Sequence, residues 1–288
     1  MDIAPVESPY KFTEQDFSRL RDQVHRHTGI YLSDKKRELV YGRISRRLRE
    51  LELESFSAYA DLIDHGHEEE LEHFANAIST NLTAFCRESH HFTYLADQLI
   101  PELLARRKGK RRIRIWSAGC SSGEEAYNIA MVLRENIPDL DRWDARILAT
   151  DIDSAVLKVA EDGIYPADRL ASLPVGWRER WFLKGKGQHA GLARAKKELR
   201  DLLTIRQLNL MHQWPMKGPF DVVFCRNVAI YFDKPTQTRL FDRVADILTP
   251  DGHLFVGHSE SLQQVSNRYE LIGKTTYRNL ARARQHVG

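Results

Sequence analysis

The sequence predicts an α/β protein in which a doubly wound, mostly parallel sheet follows an all-helical N-terminal domain. From Ile113 onward, short apolar runs alternate with amphipathic helical segments, which is typical of a parallel sheet with crossover helices. Residues 10 to about 107 carry helical patterns throughout. Between residues 181 and 208, glycines and alternating side chains interrupt both patterns, which predicts a small antiparallel β insert.

The composition favours an ordinary globular protein. The chain has 288 residues, of which 42% are hydrophobic and 29% charged, and this balance excludes wholesale disorder. A net charge of +3 does not require a nucleic-acid partner. No apolar run approaches the ~20 residues of a membrane span, and the N-terminus lacks a basic start with an apolar stretch. We therefore expect a cytoplasmic protein without direct membrane insertion.

The helical part divides into several elements. Thr13 is a good N-cap with Asp16 in the first turn, and Gly29 ends that helix. Further helices are expected from Ser33 to about Leu51, over 55–64 and over 68–80, followed by a longer one that starts near Ser89 and fades at ARRKGKRR. We predict a helical domain over 10–88 and a linker helix over 89–112.

The second part, predicted over 113–282, alternates strand and helix patterns. The predicted strands are IRIWSA, RILATD, FDVVFCRN, GHLFVGHS and, as a single closing strand, YELIGKTTYRNL. The predicted helices between them are EEAYNIAMVLREN, DSAVLKVAED and PTQTRLFDRVADIL. The antiparallel subdomain over 181–208 would be inserted in this domain. Ligands of such sheets bind beyond the carboxyl ends of the strands, where the loop SAGCSSGEE lies.

That loop differs from the familiar phosphate-binding loops. Gly119 and Gly123 are too close together for a Walker loop and no lysine follows, while a dinucleotide fingerprint would need a third glycine. Glu124 and Glu125 would repel a phosphate within ~4 Å by about 1 to 4 kcal/mol. A cationic ligand without phosphate, such as S-adenosylmethionine, fits better. The alternative is that both acids only favour the dipole at a helix N-terminus.

A second acid strengthens the nucleoside interpretation. Asp151 ends the next predicted strand, and an acid at that place can accept both hydroxyl groups of a ribose. The alternative for Asp151 alone is a solvated turn residue. Acids at two consecutive strand ends favour a nucleoside with a cationic tail.

Cysteine and histidine do not predict a metal site. Cys86, Cys120 and Cys225 are odd in number and far apart, which favours a reducing compartment and neither disulfides nor zinc. The pairs His65/His67 and His90/His91 are expected on polar helix surfaces. We therefore expect no metal, and no cysteine nucleophile because no base is identifiable beside any of the three.

The segment DKKRELVYGRISRRLRE predicts a helix with a basic side and an apolar side. At 100° per residue the basic side contains Lys36, Arg43, Arg46 and Arg47. The apolar side contains Val40, Ile44, Leu48 and Leu51. The basic side is either a solvated surface or a docking surface for an anionic partner.

Five segments, in this order, resemble the CheR family of chemotaxis receptor methyltransferases. They are TNLTAFCRESHHF, WSAGCSSGEEAY, ATDID, FDVVFCRNVAIYF and GHSES, and the resemblance extends from about Phe12 to Tyr277. It implies the Rossmann-like fold of S-adenosylmethionine-dependent methyltransferases. It also implies methyl transfer to glutamate side chains of receptor signalling helices, with glutamyl methyl ester and S-adenosylhomocysteine as products, by a cytoplasmic enzyme recruited to membrane receptor arrays.

The resemblance also implies roles for single residues. Arg87 and Tyr231 would be catalytic; Asp151 would hold the ribose, Glu125 would stand near the cationic tail, and Asn209 would contact the adenine. The complete set of implied cofactor contacts is Asn81, Thr83, Arg87, Glu125, Asp151, Asn209, Leu210, Arg226 and Asn227. Singly, these residues could also be turn residues, surface ion-pair partners or packed side chains. Cys86 departs from the family pattern, which commonly has a second aromatic residue there.

Two partner surfaces follow from the same resemblance. The basic helix with Lys36, Arg43, Arg46 and Arg47 would dock on receptor helices rich in Glu and Gln. Gly185, Gly187 and Gly191 match family members in which the insert adds a strand from a receptor C-terminal peptide, although a plain hairpin would also explain them. No nucleic-acid partner is expected.

Two other functions stay open on the sequence alone. One is methylation of RNA or a small molecule by the same fold, although no basic groove flanked by aromatic residues is evident. The other is a non-catalytic adaptor that binds the cofactor as a signal.

Overall fold

The computed structural model describes residues 10–280, which form two compact units. The first unit ends at Thr80 and also takes in Tyr231–Asp233, whereas the second comprises Asn81–Ile230 and the chain from Lys234 onward. The boundary therefore comes earlier than the residue 88 expected from the sequence.

The residues just after the boundary make their contacts inside the second unit. The side-chain amide of Asn81 donates a hydrogen bond to the carboxylate of Asp153 at 2.6 Å. Phe85 is buried and packs edge-on against Tyr165 and Phe182, with ring centroids 5.1 and 5.7 Å apart. These contacts explain why the chain leaves the first unit at Thr80.

In its described part, which begins at residue 10, the first unit contains four α-helices. They are α1 (Glu14–Thr28), α2 (Arg37–Glu50), α3 (Phe56–Asp64) and α4 (Glu68–Ile78). The predicted capping of α1 is confirmed, since the Thr13 hydroxyl accepts from the Asp16 backbone N–H and the Asp16 carboxylate accepts from that of Thr13. Gly29 ends α1 in the left-handed conformation, with φ of 75°.

The core of this unit is built from the apolar sides of its helices. The buried side chains include Phe17, Leu20, Val24, Val40, Ile44, Leu48, Phe56, Tyr59, Ile63, Phe74 and Ile78. Burial of each such side chain contributes about 1.5–3 kcal/mol to folding. The predicted apolar side of α2 is thus the side that packs.

The second unit has seven α-helices among the described residues. They are α5 (His90–Tyr94), α6 (Ile100–Arg107), α7 (Glu124–Asn136), α8 (Ser154–Asp162), α9 (Trp177–Trp181), α10 (Lys197–Arg200) and α11 (Lys234–Ile247). A π-helical segment, Leu95–Leu99, joins α5 to α6. Phe92, Leu95, Leu99 and Leu103 are buried in the core of this unit, so the segment predicted as a linker helix is part of the second unit.

Ten β-strands complete the second unit as far as residue 280, where the description ends. They are β1 (Arg112–Ala118), β2 (Asp144–Asp151), β3 (Ile164–Pro166), β4 (Phe182–Lys184), β5 (Leu192–Ala195), β6 (Leu203–Gln207), β7 (Phe220–Cys225), β8 (Leu248–Val256), β9 (Tyr269–Gly273) and β10 (Thr276–Asn279). Seven form one sheet in the order β6-β2-β1-β7-β8-β10-β9. The first five run parallel, and β10 and β9 are antiparallel to their neighbours.

The strand order confirms the predicted doubly wound sheet. The chain moves from β1 outward to β2 and β6 on one side, and then returns to the other side of β1 with β7. The order therefore reverses between β1 and β7, and ligands of open α/β sheets bind at the carboxyl ends of the strands beside such a reversal.

The small antiparallel sheet differs in extent from the prediction. It has the order β3-β5-β4, so one of its strands comes from 164–166, before the predicted insert. The end of the predicted insert, β6, is the parallel edge strand of the large sheet, paired with β2. Ile205 of β6 is buried in the main core, which accounts for its apolar side chain.

The predicted closing strand is in fact a hairpin. Tyr269–Gly273 and Thr276–Asn279 pair antiparallel to each other, and Thr275 at the turn has a φ of 49°. The sequence GKT carries no strong hairpin signal such as Asn-Gly, which is why the two strands read as one.

Within residues 10–280, none of the helices combines the length and the apolar character that crossing a lipid bilayer would need.

His253 is a titratable group inside this fold. It lies on β8, is 0% exposed, and contacts the Tyr94 ring at a centroid distance of 6.0 Å. Burial, with further contributions from the charges of Arg106 and Arg278, lowers its pKa to about 4, although Asp251 opposes this shift. The folded protein therefore holds this imidazole neutral, whereas the unfolded chain protonates it below about pH 6.5.

We predict that His253→Phe makes the protein less sensitive to acid. Between about pH 6.5 and 4 the unfolded wild-type chain binds the extra proton, so its stability falls by about 1.4 kcal/mol per pH unit because of this group. Urea unfolding at several pH values gives the free energy of unfolding as a function of pH. Between about pH 6.5 and 4 this free energy should change less steeply with pH in the variant, by that amount. Parallel stability curves for the two proteins would contradict the assignment.

Candidate active site

The loop after β1 lies at the carboxyl edge of the sheet, and two glycines permit its close packing. Gly119 has a φ of 79°, and a Cβ there would lie 2.3 Å from Cγ2 of Val228 in the loop after β7. Gly123 has a φ of 94°, and its Cβ would lie 2.8 Å from Cβ of Ala160 on α8. Glycine is therefore required for the loop to approach both neighbours.

The two acids that follow this loop have different environments. Glu124 is fully buried, and its carboxylate accepts hydrogen bonds from Ser122 Oγ at 2.7 Å and from Arg169 Nη1 at 2.5 Å. Its role is structural. Glu125 accepts from Ser117 Oγ at 2.6 Å and from Arg226 Nη1 at 3.0 Å. Burial raises the pKa of Glu125, while the nearby Arg226 charge opposes that rise.

Asp151 ends β2 next to this loop, as predicted. Its carboxylate oxygens accept from the backbone N–H groups of Ser121, at 2.8 Å, and Asp153, at 3.1 Å. Burial raises its pKa, and these backbone hydrogen bonds partly offset the effect. The amide of Asn81 donates to Asp153, so the structure brings Asn81 and Asp151 into one cluster.

Arg226 occupies the centre of a second cluster, at the end of β7. Besides Glu125, its guanidinium lies 3.4 Å from Glu88 Oε2, donates to the Arg87 backbone oxygen at 2.5 Å and stacks over Phe92. The side-chain amide of Asn227 donates to Glu88 Oε1 at 3.3 Å. The structure thus brings Glu125, Arg226 and Asn227 together and adds Glu88, which the sequence analysis did not assign.

Glu88 stays ionised in this cluster. Burial opposes its ionisation, but hydrogen bonding from His258 and the charge of Arg226 outweigh burial and lower the pKa to about 2. Glu88 and Asn227 both adopt left-handed backbone conformations, with φ of 54° and 59°. Such conformations in non-glycine residues cost energy and are concentrated at functional sites.

Glu260 is another acid that the sequence analysis did not assign. Its carboxylate accepts from the backbone N–H groups of Asn227, at 2.9 Å, and Ile230, at 3.1 Å. The only sequence signal for Glu88 and Glu260 was their presence in the segments NLTAFCRE and GHSES, since nothing in their spacing marks them as buried.

The prediction that both His90 and His91 lie on a polar surface is wrong for His91, which is fully buried. Burial and the charge of Arg226 lower its pKa to about 3. Ligand atoms of Glu88, His90 and His91 lie within 4.8 Å of one another. The Arg226 guanidinium already supplies a positive charge beside Glu88, and it would repel a metal cation bound to these three side chains.

Arg87 and Cys86 belong to the segment before α5. The Arg87 guanidinium donates to the Leu82 backbone oxygen at 2.7 Å, and in the described part of the chain it makes no ion pair. Cys86 is half-buried with a φ of 56°, and its thiol lies 3.9 Å from Asn128 Oδ1. Burial raises the pKa of Cys86, which does not suit a nucleophile. Thr83 is partly exposed.

The remaining predicted cofactor residues follow β6. Asn209 Oδ1 accepts from the Met211 backbone N–H at 2.9 Å, the geometry of a turn residue. Leu210 is buried, and its backbone oxygen accepts from Trp214 Nε1 and Arg243 Nη1 at 3.1 and 2.7 Å. These contacts fix the turn at the carboxyl end of the edge strand.

Tyr231, the second predicted catalytic residue, belongs to the first unit, whereas Arg87 belongs to the second. Its backbone oxygen accepts from Tyr31 N–H at 2.7 Å, and its hydroxyl lies 3.4 Å from the Thr80 backbone oxygen.

The predicted basic docking surface on α2 is only partly available. Arg43 donates to three backbone oxygens at the end of α4, those of Ala77, Ile78 and Ser79. Arg47 forms an ion pair at 2.6 Å with the buried carboxylate of Glu70. Both guanidinium groups thus help to hold the helical unit together, and the docking role of Arg43 and Arg47 stays a prediction.

Lys36 and Arg46 remain exposed, as do Lys35 and Arg49. The side chain of Arg46 is 78% exposed and lies 3.4 Å from the carboxylate of Glu50. These four residues, Lys35, Lys36, Arg46 and Arg49, are called the exposed basic residues below.

The three predicted tether glycines lie in the connection between β4 and β5. A Cβ at Gly185 would come within 2.0 Å of the His189 backbone oxygen, while Gly187 and Gly191 have φ of 57° and 86°. All three positions thus require glycine for the turn itself. β4 is an edge strand of the small sheet, and Leu183 on it is exposed.

Comparison with known proteins finds matches over nearly the whole chain. Residues 15–79 match the family model described as CheR methyltransferase, all-alpha domain, and residues 81–278 match CheR methyltransferase, SAM binding domain. Chemotaxis protein methyltransferase 2 of Pseudomonas aeruginosa is 46% identical over 271 residues, covering 93% of this chain and 94% of that protein. The chemotaxis protein methyltransferase of Escherichia coli is 42% identical over 268 residues, covering 92% and 91%.

A more remote likeness exists among solved structures. Geranyl diphosphate C-methyltransferase from Streptomyces coelicolor is 16% identical with a TM-score of 0.33, over 59% of this chain and 45% of that one.

We predict that the neighbouring arginines of α2 differ in their effect on stability. Arg47→Ala would leave the buried Glu70 carboxylate without its charged partner, although the Tyr59 hydroxyl would still donate to it, and this loss should cost about 3 kcal/mol. Arg46→Ala removes an exposed group and should change the free energy of unfolding by less than about 0.5 kcal/mol. Denaturant unfolding of the two variants beside wild type measures both values, and equal losses would show that the buried pair does not stabilise the unit.

Proposed function

Because the chain belongs to the CheR methyltransferase family, we propose that it methylates glutamate side chains on the signalling helices of chemoreceptors. Family membership alone makes the chain an S-adenosylmethionine-dependent methyltransferase of chemotaxis. The observation that carries the proposal is the match of both family domains, together with acids rather than a lysine in the loop after β1. The products would be glutamyl methyl ester and S-adenosylhomocysteine.

The chemistry of the site fits this cofactor. Glu125 lies in the first turn of α7, after the loop that follows β1, and Asp151 ends the adjacent strand β2. Carboxylates at these places would repel a phosphate. The Asp151 carboxylate is anchored by two backbone N–H groups, which leaves it able to accept ribose hydroxyls. We assign the ribose to Asp151 and the cationic tail to Glu125, with the other cofactor contacts as the family resemblance implies.

The glutamate that accepts the methyl group needs little acid–base catalysis. A glutamate side chain has a pKa of ~4.3, so it is already a carboxylate at neutral pH and needs no general base. When bound, S-adenosylmethionine supplies a methyl group on a sulfonium leaving group. The work of the protein is alignment, which can contribute up to about 7–11 kcal/mol in favourable systems.

Arg87 suits the task of orienting the acceptor. Its guanidinium makes no ion pair among the described residues, so its charge is available to a carboxylate. A cation beside the acceptor keeps it ionised while water is removed. Tyr231 remains a proposed hydrogen-bond donor on the strength of the family resemblance.

The test is transfer of a radiolabelled methyl group to receptor membranes, followed by mild alkali. A glutamyl ester releases the label as methanol. Base-stable label would indicate nitrogen or carbon methylation, and label on RNA or a small molecule would support the other methyltransferase class. Cofactor binding without any transfer would support an adaptor. Each of these outcomes contradicts the proposal.

We predict that Arg87→Ala lowers turnover at saturating cofactor by about 10²-fold, comparable with the loss of one well-placed donor to developing or fixed charge. Arg142→Ala, which removes an exposed arginine of the same unit, is the matched control. Full turnover in the Arg87 variant would remove the assignment.

The exposed basic residues are the proposed docking surface for the receptor, in the cytoplasm and at membrane receptor arrays. A segment rich in Glu attracts a basic helix, and such steering weakens as salt screens it. Arg43 and Arg47 are not among these four exposed residues, because their guanidinium groups make contacts inside the unit.

We predict that Arg46→Glu lowers kcat/KM for receptor about 10-fold at low salt and leaves kcat nearly unchanged, with the difference shrinking as ionic strength rises. Lys108→Glu is a control of equal charge change at an exposed position of the second unit. The same loss in both variants would mean that net charge, and not this surface, determines docking.

The small sheet is the proposed site for a receptor C-terminal peptide. Among residues 10–280 no strand pairs with the outer edge of β4, and an extended peptide can add there by backbone hydrogen bonds. Calorimetry with aromatic-containing receptor tail peptides tests this, and absence of heat with all of them would remove it.

A further inference from the structure

We propose that Glu260 is a positioning residue, which fixes the turn that carries Arg226 and Asn227 and thereby sets the affinity for the cofactor. This inference rests on the proposed cofactor contacts of those two residues. Glu260 lies in the connection between β8 and β9, and it is only 7% exposed. Its own side chain is not among the assigned cofactor contacts.

The Glu260 carboxylate holds the turn by its backbone. Oε2 accepts from the N–H groups of Asn227 at 2.9 Å and Gly257 at 2.5 Å, and Oε1 accepts from that of Ile230 at 3.1 Å. A carboxylate offers only acceptors, so it matches three converging donors. A charge-assisted hydrogen bond of this kind is about twice as strong as a neutral one.

Close packing beside the turn depends on Gly257. A Cβ at this position would lie 2.3 Å from Asn227 Nδ2 and 2.9 Å from Glu260 Oε2. Gly257 and Glu260 also close their own turn, since the Glu260 N–H donates to the Gly257 oxygen at 2.9 Å. The end of β8 is therefore shaped to hold a carboxylate against the turn after β7.

The turn needs such external support because its conformation is unfavourable. Asn227 has a φ of 59°, which a non-glycine residue adopts at a cost. Its neighbours in space are side chains of the candidate site, since Arg226 reaches Glu125 and Asn227 reaches Glu88. Loss of the carboxylate would release the backbone N–H groups of Asn227 and Ile230, and both side chains of the turn would lose their fixed positions.

Glu260→Gln is the variant that isolates this role. Glutamine keeps the length of the side chain, but an NH₂ group replaces one of the two acceptor oxygens. That group faces backbone N–H donors without being able to accept from them, and the negative charge is lost. We expect the Kd for S-adenosylhomocysteine, measured by calorimetry, to rise at least 10-fold, while kcat at saturating cofactor changes less than 3-fold. A purely structural role would lower the fraction of active protein and leave the Kd of the folded fraction unchanged.

Two further variants complete the test. Glu161→Gln changes an exposed carboxylate of the same unit and should leave both quantities within 2-fold. Glu260→Asp keeps the charge but withdraws the carboxylate by one methylene group from the three backbone N–H groups, and it should raise the Kd as well, which keeps the test valid if Glu260→Gln does not fold. An unchanged Kd in Glu260→Gln or, if that variant does not fold, in Glu260→Asp would overturn the proposal, as would a fall in kcat without a change in Kd.

The outcome is separable from that of the proposed function. Binding of S-adenosylhomocysteine to the wild-type protein requires no acceptor, so the Glu260 test stands whether the methyl group goes to glutamate or elsewhere. Alkali-stable product with wild type would reject the glutamate acceptor and leave the positioning role intact.

Discussion

The arrangement of the candidate site depends on one guanidinium that is shared by two carboxylates with little solvent exposure. Arg226 lies 3.0 Å from Glu125 and 3.4 Å from Glu88, at the end of β7 and beside the loop after β1. Removal of two carboxylates from water is costly unless a positive charge compensates for it. Arg226 therefore permits acids to exist at the carboxyl edge of the sheet, beside a glycine-containing loop and a helix N-terminus that would otherwise suit a phosphate.

This compensation also determines the character of the surrounding groups. The same charge helps keep Glu88 ionised and His91 neutral. The backbone around the site is held in left-handed conformations at Cys86, Glu88, Ser121 and Asn227, none of which is glycine. Strain of this kind persists only where neighbouring groups fix the backbone, and the buried carboxylates provide that restraint.

The sequence predicted the parts of the fold that depend on local pattern. Period and capping residues located α1 to α4, and the alternation of strand and helix gave the doubly wound sheet. The pairing of distant segments could not be predicted in this way. β3 joins the small sheet and β6 joins the large one through contacts that no local pattern encodes. The boundary at Thr80 depends in the same way on Phe85 and Asn81, whose partners lie far along the chain.

The site shows the same division. Glu125 and Asp151 were identifiable because acids after buried strands are conspicuous, but Glu88 and Glu260 became visible only through their hydrogen bonds. On α2, helical periodicity distinguishes a basic side from an apolar one, but it cannot show that Arg43 caps α4 or that Arg47 contacts a buried acid. Tertiary structure determines which charged side chains form ion pairs and hydrogen bonds inside the protein.

The return of residues 231–233 to the helical unit has a consequence for dissecting the protein. Ile30 pairs with Phe232 in an isolated antiparallel bridge, and Tyr31 bonds to the backbone of Tyr231. The polypeptide thus passes from one unit to the other at three places, after Thr80, Ile230 and Asp233. A fragment cut at residue 80 would lack a piece of its own fold, so gene fusions that exchange the helical unit between relatives should carry both stretches together.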